Sequence, residues 1–205
     1  MKQSERQERS RALILEAAAE EFARLGYEGV TVDGICAGHG ISKGMMYHYF
    51  SGREELFLKC AGAVFTRLSE RVRQVMDDAC WDDISGAMRE YFLERERYFA
   101  DRPVEKAIFE NAMFRTPHGL EEKVAELHEP LSELNREFAR RLTERLTPRP
   151  GHTKEELQRY FEAIDRVYWP LLGSFNGESG LASVENMVRS GEALLDMLIF
   201  GAARE

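Results

Sequence analysis

Residues 31–50, TVDGICAGHGISKGMMYHYF, constrain what this chain can fold into more than any other stretch. Two brief segments with helical apolar spacing flank Gly38-His39-Gly40, a turn-forming triplet. Thr31 is placed to cap a helix opening at Val32. Ser42 is placed to cap another running through KGMMYHYF, because a hydroxyl there accepts a hydrogen bond from an amide that the first turn leaves unpaired. At about 100° per residue, Lys43, Gly44, Tyr47 and His48 share one side of this second helix, and Met46 and Phe50 lie toward another. The apolar side suits docking on Ile35 and Phe22, which leaves the polar side for a partner. Two short helices joined by a glycine turn form a helix-turn-helix, whose second helix enters the major groove of DNA. Gly44 lets the backbone approach a groove closely, and Lys43, Tyr47 and His48 supply donors, suited mostly to phosphate.

The flanking sequence is helical too. Ile14, Ala18, Phe22 and Leu25 recur at spacings of four, four and three, so a helix runs from Ser10 to Leu25 and Gly26 ends it. Ser51 with Glu54 reads as a capping box opening a helix to about Met76. Further helices are expected at 82–100, 103–115, 118–146, 153–176 and 183–203, with no strand anywhere. Pro103 and Pro117 suit first helical turns, and Thr153 with Glu156 is a second capping box. Pro130 and Pro170 fall inside helical patterns and are expected to kink or interrupt them. TPRPGH at 147–152 reads as the clearest loop. The expected fold is all-α, a three-helix DNA-binding domain over 1–52 followed by a larger helical domain over 53–205.

Charge qualifies the nucleic-acid reading. The net charge is −8, whereas DNA binding draws on cations that displace counterions from phosphate. Residues 1–60 carry 8 basic against 9 acidic side chains, and residues 61–205 carry 20 against 27, so the acidity sits mostly in the second part. Lys2, Arg6, Arg9 and Arg11 outnumber Glu5 and Glu8 at the start of the chain, a local positive tip that can meet phosphate. No apolar stretch is long enough to span a membrane, and the polar start MKQSERQERSR does not read as a secretion signal, so a cytoplasmic protein is expected. Cys36, Cys60 and Cys80 have neither disulfide nor zinc spacing and read as buried free thiols.

From Ile14 to Phe57 the chain resembles the DNA-binding domain of the TetR family of regulators. The resemblance runs through the Ala-rich first helix with Phe22, then GYEGVTV, the I-x-x-x-x-G-I-S-K-G stretch, YHYF and REELF, in the family's order and spacing. It implies that Thr31, Lys43, Gly44, Tyr47 and His48 contact DNA, with Arg53 where the family usually has a lysine near phosphate; Ser42 and Met45, beside them on the same segment, complete the expected DNA-facing set. Three positions depart from the family pattern: Met45 for a small or hydroxylated residue, Gly34 for a frequent acid and Cys36 for a frequent alanine. Met45 is open between touching a thymine methyl and partial burial. Gly34 lowers intrinsic helix stability by ~1 kcal/mol.

The family likeness fades after about residue 60. In proteins of this kind the later helices enclose a small-molecule pocket, mostly apolar with a few polar groups. Tyr91, Phe92, Phe109, Asn111, Met113 and Phe114 are the expected effector contacts. The apolar set of 183–203 is wider than packing on one core requires. By resemblance, 153–176 and 183–203 would pair between subunits as a homodimer, setting two reading helices one DNA turn apart on an inverted repeat. Repression released by a small-molecule effector is the expected activity. No cofactor is expected, and the lack of a phosphate loop, HExxH or GxSxG pattern argues against an enzyme. His118 and His128, with Glu121, Glu122 and Glu129, lack diagnostic metal spacing and read as solvated side chains on a charged helix.

Overall fold

A computed structural model describes residues 3–161, 163 and 203–204 of the chain. Its helices are α1 (Gln3–Gly29), α2 (Val32–His39), α3 (Lys43–Tyr49), α4 (Arg53–Asp78), α5 (Ile84–Ala100), α6 (Pro103–Phe114) and α7 (Glu121–Arg145). Residues 154–161 are also helical. The all-α expectation holds, with one departure: β1 (Thr147–Pro148) pairs antiparallel with β2 (Ala203–Arg204). That two-residue ladder gives the 147–152 loop an anchored start, and it puts Ala203 in a strand where a helix was expected. Most of the expected helices at 153–176 and 183–203, Pro170 included, lie outside the described residues.

The chain divides into two compact units. One comprises the chain up to Thr66 together with Arg102–His128, and the other comprises Arg67–Asp101 with the chain from Glu129 onward. The divisions fall inside α4, between α5 and α6, and inside α7.

In the first unit, α1 buries Ile14, Ala17, Ala18 and Phe22 along one face. Gly26 breaks its helical geometry at φ 67°, ψ 174°, a left-handed conformation that glycine adopts without a steric penalty, and one further turn follows to Gly29. The aromatic core forms around this break. Phe22 and Tyr27 both meet the Phe57 ring edge-on, at 5.3 and 5.1 Å between centroids. From α6, the buried Asn111 donates its Nδ2 to the Phe22 carbonyl at 3.2 Å, tying that helix to α1. Arg53 closes the arrangement. Its guanidinium lies 4.2 Å over the Tyr27 ring and donates to the carbonyls of Tyr27 and Val30 at 3.3 and 3.2 Å.

The second unit is centred on Tyr91 of α5, which stacks flat on Phe138 of α7 at 3.7 Å and donates its hydroxyl to Asn135. The buried Arg95 also donates to Asn135. Arg71 reaches the buried Glu94 at 2.6 Å. Trp81 packs against Phe138 with Arg141 and Arg145 over its ring.

Several local expectations are corrected. The cap at Ser51 uses Glu55, not Glu54: its carboxylate accepts from both the Ser51 amide and hydroxyl at 2.8 Å, while Glu54 pairs with Lys123. Pro117 sits in a turn ahead of α7 instead of opening a helix, its carbonyl accepting from Leu120. Pro130 does not divide α7, which runs unbroken through it. It stands on an exposed side of the helix, where the backbone carbonyl deprived of a partner can turn to water. Cys80 is exposed, whereas Cys36 and Cys60 are buried as expected. The capping box at Thr153 and Glu156 forms as read, with reciprocal bonds of 2.9 and 3.1 Å.

Two stability predictions follow from these contacts. Replacing Arg53 with Met removes two carbonyl bonds and the stacking on Tyr27, and should lower unfolding stability by about 1–3 kcal/mol in urea titrations. Glu137 accepts from Arg140 and Arg141, which hold its carboxyl down at about 2 from its ordinary 4.5. A carboxyl lowered on folding stabilises the protein above its unfolded value and loses that contribution as the pH falls through the folded one. Glu137→Gln should therefore flatten the loss of stability between about pH 5 and pH 2, followed by denaturation midpoint.

Candidate nucleic-acid interface

The turn between α2 and α3 is set by backbone and caps. Thr31 Oγ1 accepts from the Gly34 amide at 3.0 Å, and Ser42 Oγ accepts from Met45 at 3.1 Å. Gly40 takes φ 64°, the left-handed residue that ends α2 and turns the chain. His39, at the end of α2, reaches Glu21 of α1 at 3.3 Å. The Arg24 hydrogen bond chiefly, with His39 adding to it, holds the Glu21 carboxyl below the usual carboxylate range despite partial burial.

Packing orients α3. Met46 is completely buried and Phe50 almost so, in the same core as Ile14, Phe22 and Ile35. The opposite side is open: Tyr47 is 56% exposed, and Ser42, Lys43, Gly44 and His48 are exposed around it. A Cβ built on Gly44 would meet nothing within 4 Å. The subunit's own packing therefore gives no reason for glycine there, while close approach to an external surface does. Met45 is half-buried, and His48 lies edge-on to Tyr49. Thr31 is exposed at the neighbouring helix start.

The structure thus brings Thr31, Ser42, Lys43, Gly44, Tyr47 and His48 onto exposed positions of one helix-turn-helix, with Met45 partly withdrawn. Arg53 is placed differently. It is half-buried and engaged with Tyr27, Val30 and, at 3.8 Å, Glu28. Sequence reading also passed over Asp33. Its Oδ2 accepts from Lys43 Nζ at 2.7 Å, with both side chains well exposed, at 65% and 63%. The available signal was that Asp33 is the sole acid, and Lys43 the sole Lys or Arg, between residues 31 and 50.

The described effector candidates fall in both units. Phe109 and Asn111 are buried in the first unit, with Met113 and Phe114 half-buried there. Phe109 meets Phe65 and Phe114 edge-on. Asn111 lines an open cleft of about 480 Å³ between the end of α1 and α6, together with Gly26, Tyr27 and Arg115. Tyr91 belongs to the second unit, and the Phe92 side chain lies outside the described residues. Of the histidines weighed as metal ligands, His118 is exposed but His128 is buried against Phe65, 5.2 Å between ring centres, which corrects the reading of it as solvated.

Comparison with known proteins places this geometry. The profile described as bacterial regulatory proteins, tetR family, matches residues 14–60. The HTH-type transcriptional regulator YhgD of Bacillus subtilis is 31% identical over 112 residues, covering 55% of this chain and 49% of that protein. The HTH-type transcriptional repressor AcnR of Corynebacterium efficiens is 36% identical over 89 residues, covering 43% of this chain and 44% of that one. The chain thus spans about half the length of the curated relatives it matches. Among solved structures, the transcriptional regulator FadR of Bacillus subtilis, in complex with stearoyl-CoA, superposes with a TM-score of 0.68 over 93% of this chain and 98% of that one, at 14% identity. That likeness is one of fold. The helix-turn-helix of residues 32–49 lies inside the segment that matches the tetR-family profile, so over residues 14–60 this chain is similar to the bacterial regulatory proteins of that family.

Proposed function

We propose that this protein is a DNA-binding transcription regulator, a repressor that grips an inverted-repeat operator as a homodimer and is released by a small-molecule effector. The observation that carries the proposal is the two-sidedness of α3. Met46 and Phe50 lock it into the core, and Lys43, Gly44, Tyr47 and His48 stand outward at a spacing that follows a groove. The repressor reading draws support from AcnR, which is named a repressor. The effector reading draws on FadR, whose structure holds stearoyl-CoA.

Lys43, Tyr47, His48 and the hydroxyls of Thr31 and Ser42 contact phosphate or base edges, and Gly44 admits the backbone. Arg53 acts from behind, holding the start of α4 on the α1–α2 connection. The dimer surface is assigned on sequence pattern and family to 153–176 and 183–203. Effector binding shifts the population between dimers whose reading heads match the operator spacing and dimers whose heads do not, with α4 as the lever. The chain acts by binding and not by catalysis. No described helix is long and apolar enough to cross a membrane, in keeping with action on DNA in the cytoplasm.

Gel shifts on DNA flanking the protein's own gene test the reading. Tyr47→Ala should lose at least tenfold in affinity, and unchanged binding would remove α3 as the reading element. Binding should also weaken steeply with salt, because each phosphate neutralised contributes about −0.9 to the slope of log K against log salt. Gly44→Ala separates interface from fold: its melting temperature should stay level or rise, since alanine favours helix by up to about 1 kcal/mol over glycine, while its DNA affinity falls.

A further inference from the structure

We infer that Asp33 is a built-in attenuator of DNA affinity, an acid that occupies the ammonium of Lys43 and must be displaced before that lysine serves a phosphate. The inference rests on the DNA-binding reading and adds to it a residue that sets how tightly the site grips.

The geometry is direct. Lys43 Nζ donates to Asp33 Oδ2 at 2.7 Å, from the first turn of α3 to the first turn of α2. Both side chains are more than 60% exposed, at 63% and 65%, so the pair lies on the outer surface of the helix-turn-helix. Asp33 sits in the first turn of α2, where the backbone dipole favours negative charge, and its contact with Lys43 holds the lysine's proton more firmly. No other strong base stands between residues 31 and 50, nor any other acid. The segment expected to lie nearest the duplex therefore carries one permanent cation, already matched by one anion. A lysine so paired displaces fewer counterions when it meets phosphate, and the exposed carboxylate is brought toward like charge. An exposed ion pair of this kind contributes little to folding, which leaves its effect on binding as its main consequence.

The test uses the full-length protein and duplex DNA from beside its own gene, with affinity measured by fluorescence anisotropy from 50 to 400 mM KCl. Asp33→Asn should tighten binding about eightfold per reading helix at 0.1 M salt and steepen the slope of log K against log salt by about 0.9 per helix. Glu133→Gln, an equal change of charge on α7, should leave both nearly unchanged. In a Lys43→Met background the Asp33→Asn gain in slope should vanish. Melting temperatures within a few degrees of the parent exclude a folding effect. Unchanged or weakened binding by Asp33→Asn overturns the inference while leaving the DNA reading in place. So does an equal gain with and without Lys43, which would mark a general field and not competition for that lysine. Failure of the unaltered protein to bind the duplex in a salt-dependent way overturns both.

Discussion

Everything outward-facing in the helix-turn-helix depends on what α3 buries. Met46 and Phe50, four residues apart, put one side of a seven-residue helix into the core that Ile14, Phe22 and Ile35 share. A helix this short has no independent stability in water, so its orientation comes from that burial and from the Ser42 cap. Once Met46 is inside, the helical period leaves Tyr47, with Lys43 and Gly44 one turn earlier, to stand outside. Burial of two apolar side chains thus selects which polar ones meet a partner.

That core is held in register by polar contacts between elements distant in sequence. Arg53 spans back to the carbonyls of Tyr27 and Val30, satisfying backbone acceptors where the chain leaves helical geometry after Gly26. Asn111 does the same for the Phe22 carbonyl from α6, and His39 joins the end of α2 to Glu21. Each bond fastens an element bordering the reading helix, so the recognition surface is a property of the whole first unit.

How much of this could be read from sequence follows the distance over which each interaction acts. The caps at Thr31, Ser42 and Thr153 were legible because donor and acceptor lie within three residues, and the faces of α3 because helical periodicity is local. Glu55 in place of Glu54 at the Ser51 cap shows the one-residue slack in such patterns. The role of Arg53 was not legible: its carbonyl partners lie 26 and 23 residues away, and a surface arginine near a DNA-binding motif suggests phosphate first. His128 was misread as solvated because charged neighbours masked a side chain that turns in toward Phe65. Pro130 was overweighted, since sequence gives the missing amide but not the exposed side on which its loss is tolerated. The six effector candidates were chosen by residue type along one stretch, and the fold distributes those it describes between two units.

The most direct test of the account asks which exposed tyrosine meets DNA. A photoreactive phenylalanine analogue at Tyr47 on α3 or at Tyr160, both exposed, would be irradiated with duplex DNA at low salt. The account predicts a covalent protein–DNA product from position 47 that disappears at high salt, and none from position 160. Equal crosslinking from both positions, or crosslinking from 160 alone, would contradict it.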